Sequence, residues 1–381
     1  MKILMVFLGY SGTGFSHAGG DTYFIEISKR LASSHDLCVL TTSNGEKLLK
    51  TMGLTTKVQI LSFPLIDRFP LFFEYFWRSF AALFNISKLS SDFDIVISTS
   101  PLIPDIFATS LFSVVKKVKP AIYHHGFVTS VMLNEYDTVT RFLALTIQRR
   151  FLTLLITMLN FTIFALPVTR RDLLALNVPE DRIKELVNGL DTIIIDHVNA
   201  GDQSFDGVFI GRIVPGKGVL KLPDIWSKVV NRFPNAKLAI LGTGVLLQEL
   251  KSEINAKKLE NNILLLGWVP ELEKYAILKS SKIFVFPSYV ENWSIAVSEA
   301  MYCGLPCVLY ELDAYDIYLD GVIKIRPGRE SAFTEAIIRL LVDDDLRNRI
   351  SVNAKKIVSS FSWDKIAQKH EADLLKAIKL E

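Results

Sequence analysis

The chain reads as an α/β protein of two domains, each built on a parallel sheet covered by helices on both faces. Three observations lead there. It has 381 residues, more than one hydrophobic core usually organises. Its strand-like segments are continuous apolar runs rather than alternating ones, as in sheets buried on both faces. Helical stretches separate those runs, the order expected of parallel βαβ units.

In the first half the strand-like runs are KILMVFL, LCVLTT, DIVISTS and AIYHH, with helix-like segments from Thr22 to Ser33 and Ile106 to Val118 between them. The opening MKILMVFLGYSG reads as a first buried strand and not as a signal peptide, because its apolar run is short and a glycine-rich turn follows. Phe151 to Val168 holds eighteen residues without a charge, the minimum for a membrane span. Asn160 and Pro167 interrupt it, so it is expected to divide into a helix over Arg141 to Met158 and a buried strand over Phe161 to Pro167. In the second half DGVFIG, KLAILG, NILLLG, KIFVFPS and PCVLY repeat the strand pattern. The polar, glycine-bearing segment from Asn188 to Asp206 is the expected break. Residues 1–190 are then a first domain, 205–360 a second, and 361–381 a final helix packing back toward the first.

Composition excludes several classes. Lys plus Arg is 43 against 40 for Asp plus Glu, a net charge of +3 that gives no general attraction to nucleic acid. Cys38, Cys303 and Cys307 are an odd number without a spaced framework, which argues against a disulfide scaffold and for a reducing, cytoplasmic setting. Cys303 and Cys307 lack zinc-site spacing, and both are expected to be buried structural residues. Asp92-Phe93-Asp94 matches a metal-binding D-x-D, but Asp94 simply opens the strand DIVISTS. Phe69 to Phe84 is strongly aromatic, with only Glu74 and Arg78 charged. It suits a helix covering the sheet, or a surface lying on lipid that would make the protein peripheral on the inner face of the membrane.

The chemistry-bearing residues concentrate in the second half. The strand GVFIG runs into Gly211-Arg212-Ile213-Val214-Pro215-Gly216-Lys217-Gly218, placing two cations and exposed amides beyond a strand's carboxyl end, as a diphosphate requires. After KIFVFPS come Glu291-Asn292-Trp293-Ser294-Ile295-Ala296-Val297-Ser298-Glu299 and then AMYCGLP. Ser294 is the expected N-cap of a helix that Gly304 and Pro306 close. Glu291 then precedes the helix and Glu299 lies about one and a half turns into it, with free N–H groups between them. Taken alone, the basic loop and the two glutamates also fit a solvated surface.

These residues resemble the signature of retaining family 4 glycosyltransferases of the GT-B fold, the glycosyl transferases group 1: E-x7-E followed by A-M-x-C-G-x-P. The similarity continues in order. Asn188-Gly189-Leu190-Asp191 resembles N-G-V-D, GRIVPGKG resembles G-R-L-x-x-x-K-G, and Leu241-Gly242-Thr243-Gly244 resembles the family's next glycine turn. Gly267-Trp268-Val269-Pro270 resembles G-x-V-P, and Phe361-Ser362-Trp363 the start of its final helix. In the first half Gly19-Gly20-Asp21, before the helix TYFIEISKRLA, resembles the glycine loop facing the donor phosphate; a plain helix cap at Asp21 is the other reading. Tyr123-His124-His125-Gly126 matches the place where the family carries a sugar-contacting histidine. His125 is preferred because it directly precedes the glycine.

The resemblance implies two Rossmann-like domains facing across a cleft and a nucleotide-diphosphate sugar as donor, with no metal or other cofactor. It implies Glu299 on the ribose, Arg212 and Lys217 on the diphosphate, Glu291 on the transferred sugar, and transfer with retention to a lipid-linked, glycan or other hydroxyl acceptor. Gly242, Val269, Ser294 and Ile295 are expected around the donor. One departure stands out: where the family has E-G-F-G, this chain has Glu291-Asn292-Trp293-Ser294. Trp293 is expected to narrow the sugar pocket or meet the acceptor. A sugar-nucleotide epimerase on the same fold, or a non-catalytic nucleotide-sugar binder, would use many of the same contacts; product analysis separates them.

Overall fold

The structure is a computed structural model, and it describes residues 1–9, 19–54, 58–63, 77–82, 84, 89, 92–126 and 149–379. The chain divides into two compact units: Met1–Asn188 with Trp363–Glu381, and Gly189–Ser362. Residues 189–206 therefore belong to the second unit and contribute a short helix, Thr192–His197, capped by the Asp191 side chain.

The first unit holds β1 (Lys2–Phe7), β2 (Asp36–Thr42), β3 (Val58–Phe63), β4 (Ile95–Ser98), β5 (Lys119–His124), β6 (Thr162–Ala165) and β7 (Ile183–Glu185). They form one parallel sheet in the order β3-β2-β1-β4-β5-β6-β7. The central strands are sealed on both sides: Ile3, Leu4, Met5, Ile95, Val96 and Ile97 are all fully buried. One core cluster joins Leu4, Val96 and Phe112, and another joins Ile122, Ile156 and Ile163. Burying such side chains contributes roughly 1.5–3 kcal/mol each.

The uncharged stretch from Phe151 divides as expected. A helix, Arg149–Met158, ends at Asn160, whose φ of 55° a helix cannot continue, and β6 follows. Pro167 then starts the next helix, its ring suited to the first turn, where the missing N–H has no partner to lose. Residues 141–148 of the expected helix lie outside the described residues. Among those described, no helix is long and apolar enough to cross a membrane.

The last helix, Trp363–Lys379, belongs to the first unit through an aromatic cluster. The His370 imidazole lies 3.2 Å from the Tyr23 hydroxyl through Nδ1 and 2.9 Å from the Tyr123 hydroxyl through Nε2. A neutral ring has one donor and one acceptor, so one tyrosine donates to it and the other accepts. Burial lowers the His370 pKa to about 3, which keeps the ring neutral. Of the aromatic stretch over Phe69 to Phe84, residues 69–76 and 83 lie outside the described residues. Trp77 packs against the core beside the buried Ala81 and Ala82, while Phe80 and Phe84 are exposed and meet edge-on at 5.0 Å.

The second unit holds β8 (Gly207–Ile210), β9 (Leu238–Leu241), β10 (Ile263–Gly267), β11 (Phe284–Phe286), β12 (Cys307–Tyr310) and β13 (Val322–Ile325) in the parallel order β10-β9-β8-β11-β12-β13. In both units the chain builds outward on one side of its first strand, then crosses to the other side. The crossing leaves a switch point between β1 and β4, and another between β8 and β11. Open parallel sheets bind ligands beyond the strand ends at such points. Cys38 and Cys307 are buried, whereas Cys303 is only half-buried, a small correction to the reading of Cys303 and Cys307 as buried residues.

Candidate functional site

At the second unit's switch point, the segments after β8 and β11 lie against each other. Pro215–Lys217 makes a tight turn, and Gly218 leaves it at φ 64°. A Cβ there would sit 1.9 Å from the Pro287 carbonyl oxygen, so a side chain is excluded on both counts. The Tyr289 N–H donates to the Gly216 carbonyl at 2.9 Å, and Ser288 Oγ lies 3.1 Å from the same oxygen. Through this seam Lys217 Nζ reaches Glu291 Oε1, and Ser288 Oγ donates to the same carboxylate oxygen at 2.8 Å. The Lys217 side chain is 18% exposed and that of Glu291 6%, so the ion pair is largely withdrawn from water.

The loop carrying Arg212 is braced from the β9 side. The Ile213 N–H donates to the Thr243 carbonyl at 2.8 Å. Gly242 has φ 135°, and a Cβ on it would lie 1.9 Å from the Gly211 carbonyl oxygen. Gly242 is therefore close backbone support for Gly211 and Arg212. The Arg212 side chain itself is exposed and makes no ion pair among the described residues.

Ile295–Tyr302 is the helix expected after Glu291. Ser294 caps it, its hydroxyl accepting the Val297 N–H at 3.4 Å. Ile295 opens the first turn, whose N–H groups and partial positive charge face the side from which Glu291 arrives. Glu299 is the fifth residue of this helix. It accepts from Lys274 Nζ at 2.7 Å and from the Tyr275 hydroxyl at 3.0 Å. Val269 is half-buried after β10, next to the exposed Trp268.

Trp293 corrects its expectation. The ring is buried and packs near Tyr318 (6.2 Å between centroids) and Phe361 (5.5 Å), so it serves the core of its own unit and is no open wall of a pocket. Tryptophan stands here at the family's phenylalanine, and the family's two glycines are Asn292 and Ser294; the indole Nε1 has no hydrogen-bond partner among the described residues.

In the first unit the helix begins earlier than expected, at Gly19, so Gly19 and Gly20 are its first residues and not a preceding loop. Asp21 falls in the first turn, where a carboxylate favours the positive end of the helix, so it does not cap it. A Cβ on Gly20 would approach His125 Cδ2 to 2.8 Å, placing the imidazole directly against this helix start. Tyr23 packs edge-on to the same ring at 5.5 Å. His124 ends β5 and is fully buried, whereas the His125 residue keeps some exposure although both its ring nitrogens are covered. Burial lowers the two pKa values to about 3 and about 4, so both rings are neutral near pH 7.

At the same unit's switch point, Asp105 accepts the Leu8 and Gly9 N–H groups and the Ser100 hydroxyl. Burial pushes its carboxyl up to about 7 against those bonds. Asp92 and Asp94, the residues of the D-x-D, both take Lys2 as partner, through its ammonium and its backbone N–H respectively.

The structure thus joins Lys217 to Glu291, Gly242 to the Arg212 loop, and Gly20 to His125. Sequence reasoning missed Ser288, Lys274, Tyr275 and Asp105. Ser288 lay inside a segment read as strand, and the others carry no local pattern.

Comparison with known proteins bears on the family and the fold. Residues 192–357 match the family Glycosyl transferases group 1. The chain is 30% identical over 203 residues to the UDP-Gal:alpha-D-GlcNAc-diphosphoundecaprenol alpha-1,3-galactosyltransferase of Escherichia coli, covering 48% of this chain and 51% of that one. It is 32% identical over 165 residues to the phosphatidyl-myo-inositol mannosyltransferase of Mycobacterium leprae, covering 42% and 43%. These matches span about half the length of the curated relatives or less. The structure superposes on Anabaena Alr3699/HepE in complex with UDP with a TM-score of 0.78 at 16% identity, covering 99% of this chain and 100% of that one. With TarM the TM-score is 0.74 at 16% identity, covering 100% and 99%. The fold is GT-B, two Rossmann-like parallel-sheet units.

Proposed function

Because the second unit carries a domain of the glycosyl transferases group 1 family, we propose that the protein moves a sugar from a nucleotide-diphosphate donor to a hydroxyl acceptor. The observation that carries the reading is the Lys217–Glu291 pair at the switch point of the second sheet, beside the start of the Ile295–Tyr302 helix. A donor's phosphate and sugar are covalent neighbours, and so are the groups proposed to bind them. The pyrophosphate lies by Arg212, Lys217 and the helix N–H groups, while a sugar hydroxyl donates to Glu291.

The chemistry follows from that placement. The bond from the anomeric carbon to the phosphate oxygen breaks, and the bond to the acceptor oxygen forms. The acceptor proton passes to the departing diphosphate. Negative charge grows on that diphosphate, and fixed cations and dipoles aimed at it lower the barrier. Resident cations fill this role in the proposal, so no metal is assigned to it. His125, neutral near pH 7, is the histidine that the family signature assigns to a sugar hydroxyl. Retention of configuration is part of the proposal and rests on the family signature.

UDP is the proposed nucleotide, since the names of the Escherichia coli relative and of the Anabaena complex carry it. A lipid-linked or glycan acceptor is proposed from the acceptors named for the two relatives. A lipid-linked acceptor would bring the protein to the inner membrane face as a peripheral protein.

A thermal-shift panel of nucleotide sugars tests the donor, because a ligand that binds only the native state raises its stability. The expected result is a shift with UDP-sugars and UDP, and nucleoside diphosphate released only when an acceptor is present. Binding without release in the presence of lipid and glycan acceptors would end the proposal.

A further inference from the structure

The Glu299 carboxyl is held in an unusual way for a group expected to bind a ligand. Both of its side-chain bonds fall on Oε1, from Lys274 Nζ at 2.7 Å and from the Tyr275 hydroxyl at 3.0 Å. Among the described residues Oε2 takes no hydrogen bond, and Glu299 remains 7% exposed. The holding residues are themselves fixed. Tyr275 is fully packed, its hydroxyl also lies 3.0 Å from Glu271 Oε1, and the Lys274 ammonium sits 4.4 Å from its ring centroid. All three come from one helix, Glu271–Lys279.

A glutamate side chain has several rotatable bonds, and ordering it costs free energy that would otherwise weaken binding. Anchoring one oxygen in advance removes much of that cost and leaves the other without a hydrogen-bond partner among the described residues. We propose that Lys274 and Tyr275 are positioning residues that preset Glu299 to recognise the ribose diol of the donor nucleotide, and so set the preference for ribonucleotide over deoxyribonucleotide. The inference rests on the reading that Glu299 accepts from the ribose.

Two ligands and two variants test it. UDP and 2′,3′-dideoxy-UDP are titrated calorimetrically into the wild-type chain, Tyr275→Phe and Lys274→Met. The wild type is expected to prefer UDP by on the order of tenfold, the value of one well-placed hydrogen bond. Each variant should lose several-fold in UDP affinity, keep its affinity for the dideoxy nucleotide, and raise the donor KM with kcat near wild type. If both nucleotides weaken equally, the pair merely docks two helices and the inference falls. If the variants keep the full wild-type preference, it falls as well. A wild type that does not discriminate sinks the ribose reading of Glu299 itself, a result distinct from either. Should Lys274→Met fail to fold, Tyr275→Phe decides alone, since it removes one hydroxyl and leaves the ring.

Discussion

The two units share a strand order and differ in what they place beyond it. At the second unit's switch point the side chains are charged and already paired, Lys217 with Glu291, and Glu299 with Lys274 deeper in. In the first unit, the candidate groups are neutral: two imidazoles whose pKa values burial depresses, and the backbone of Gly19 and Gly20. The difference teaches a division of labour. Under the proposed function, fixed charge suits an anionic leaving group, and neutral imidazoles offer hydrogen bonds that do not titrate near pH 7.

The largest test of this division is Lys217→Ala. Removing one fixed donor from a developing oxyanion costs about 10²–10³ in turnover, and kcat should fall by that much; the unfolding midpoint should fall as well, because Glu291 is left buried without its cation, so turnover is read below that midpoint. A purified variant with near-normal kcat would take Lys217 out of the mechanism and dissolve the contrast. Gly242→Ala comes next and concerns stability. With φ at 135° and a carbonyl oxygen 1.9 Å from the new methyl, the loop must move, at a cost of at least about 2 kcal/mol by denaturant titration. Donor affinity should fall with it, because the displaced backbone supports Arg212.

His125→Ala should be milder, about tenfold in kcat/KM, since a neutral hydrogen bond is worth about 1.4 kcal/mol at most. If it rivalled Lys217→Ala, the first unit would hold a catalytic group and not a binding one.

The last test concerns pH dependence. His124, His125 and His370 have folded pKa values lowered to about 3, 4 and 3, so below pH 6.5 the unfolded chain takes protons that the folded one refuses. Each histidine therefore lowers stability as pH falls from 6.5 toward 4. Asp105, raised to about 7, acts in the opposite sense, its contribution growing as pH drops through 7, but it is one group against three. In the second unit most of the shifted groups are tyrosines and cysteines moved upward, which do not titrate in acid. Hydrogen exchange followed by peptide between pH 7 and 5 should show the first unit losing protection before the second. Equal losses would contradict this.

Legibility from sequence followed burial and locality. Ten strands were readable because each is a continuous apolar run, and the three that were not, β3, β7 and β13, are all edge strands. An edge needs cover on fewer sides, so IKE and VIKI carry charges that break the apolar pattern. Within the site, Arg212, Lys217, Glu291, Ser294 and Glu299 stood out because they lie within short spans with family spacing. Lys274 and Tyr275 did not, since their partner Glu299 is about 25 residues away and nothing in ELEKYAILK marks a clamp. Trp293 was read as a wall because sequence shows that the glycines on either side of it are lost, at 292 and 294, but not on which side of the backbone the ring lies.

The path of the chain through the first unit also governs how it can be made. His370, which meets the hydroxyls of both Tyr23 and Tyr123, arrives from the ribosome some 250 residues after the second of them. All of Gly189–Ser362 is translated in between. The contiguous unit can close while still tethered, and the discontinuous one must wait with its tyrosines unsatisfied. The usual amino-terminal-first order of co-translational folding is thereby reversed.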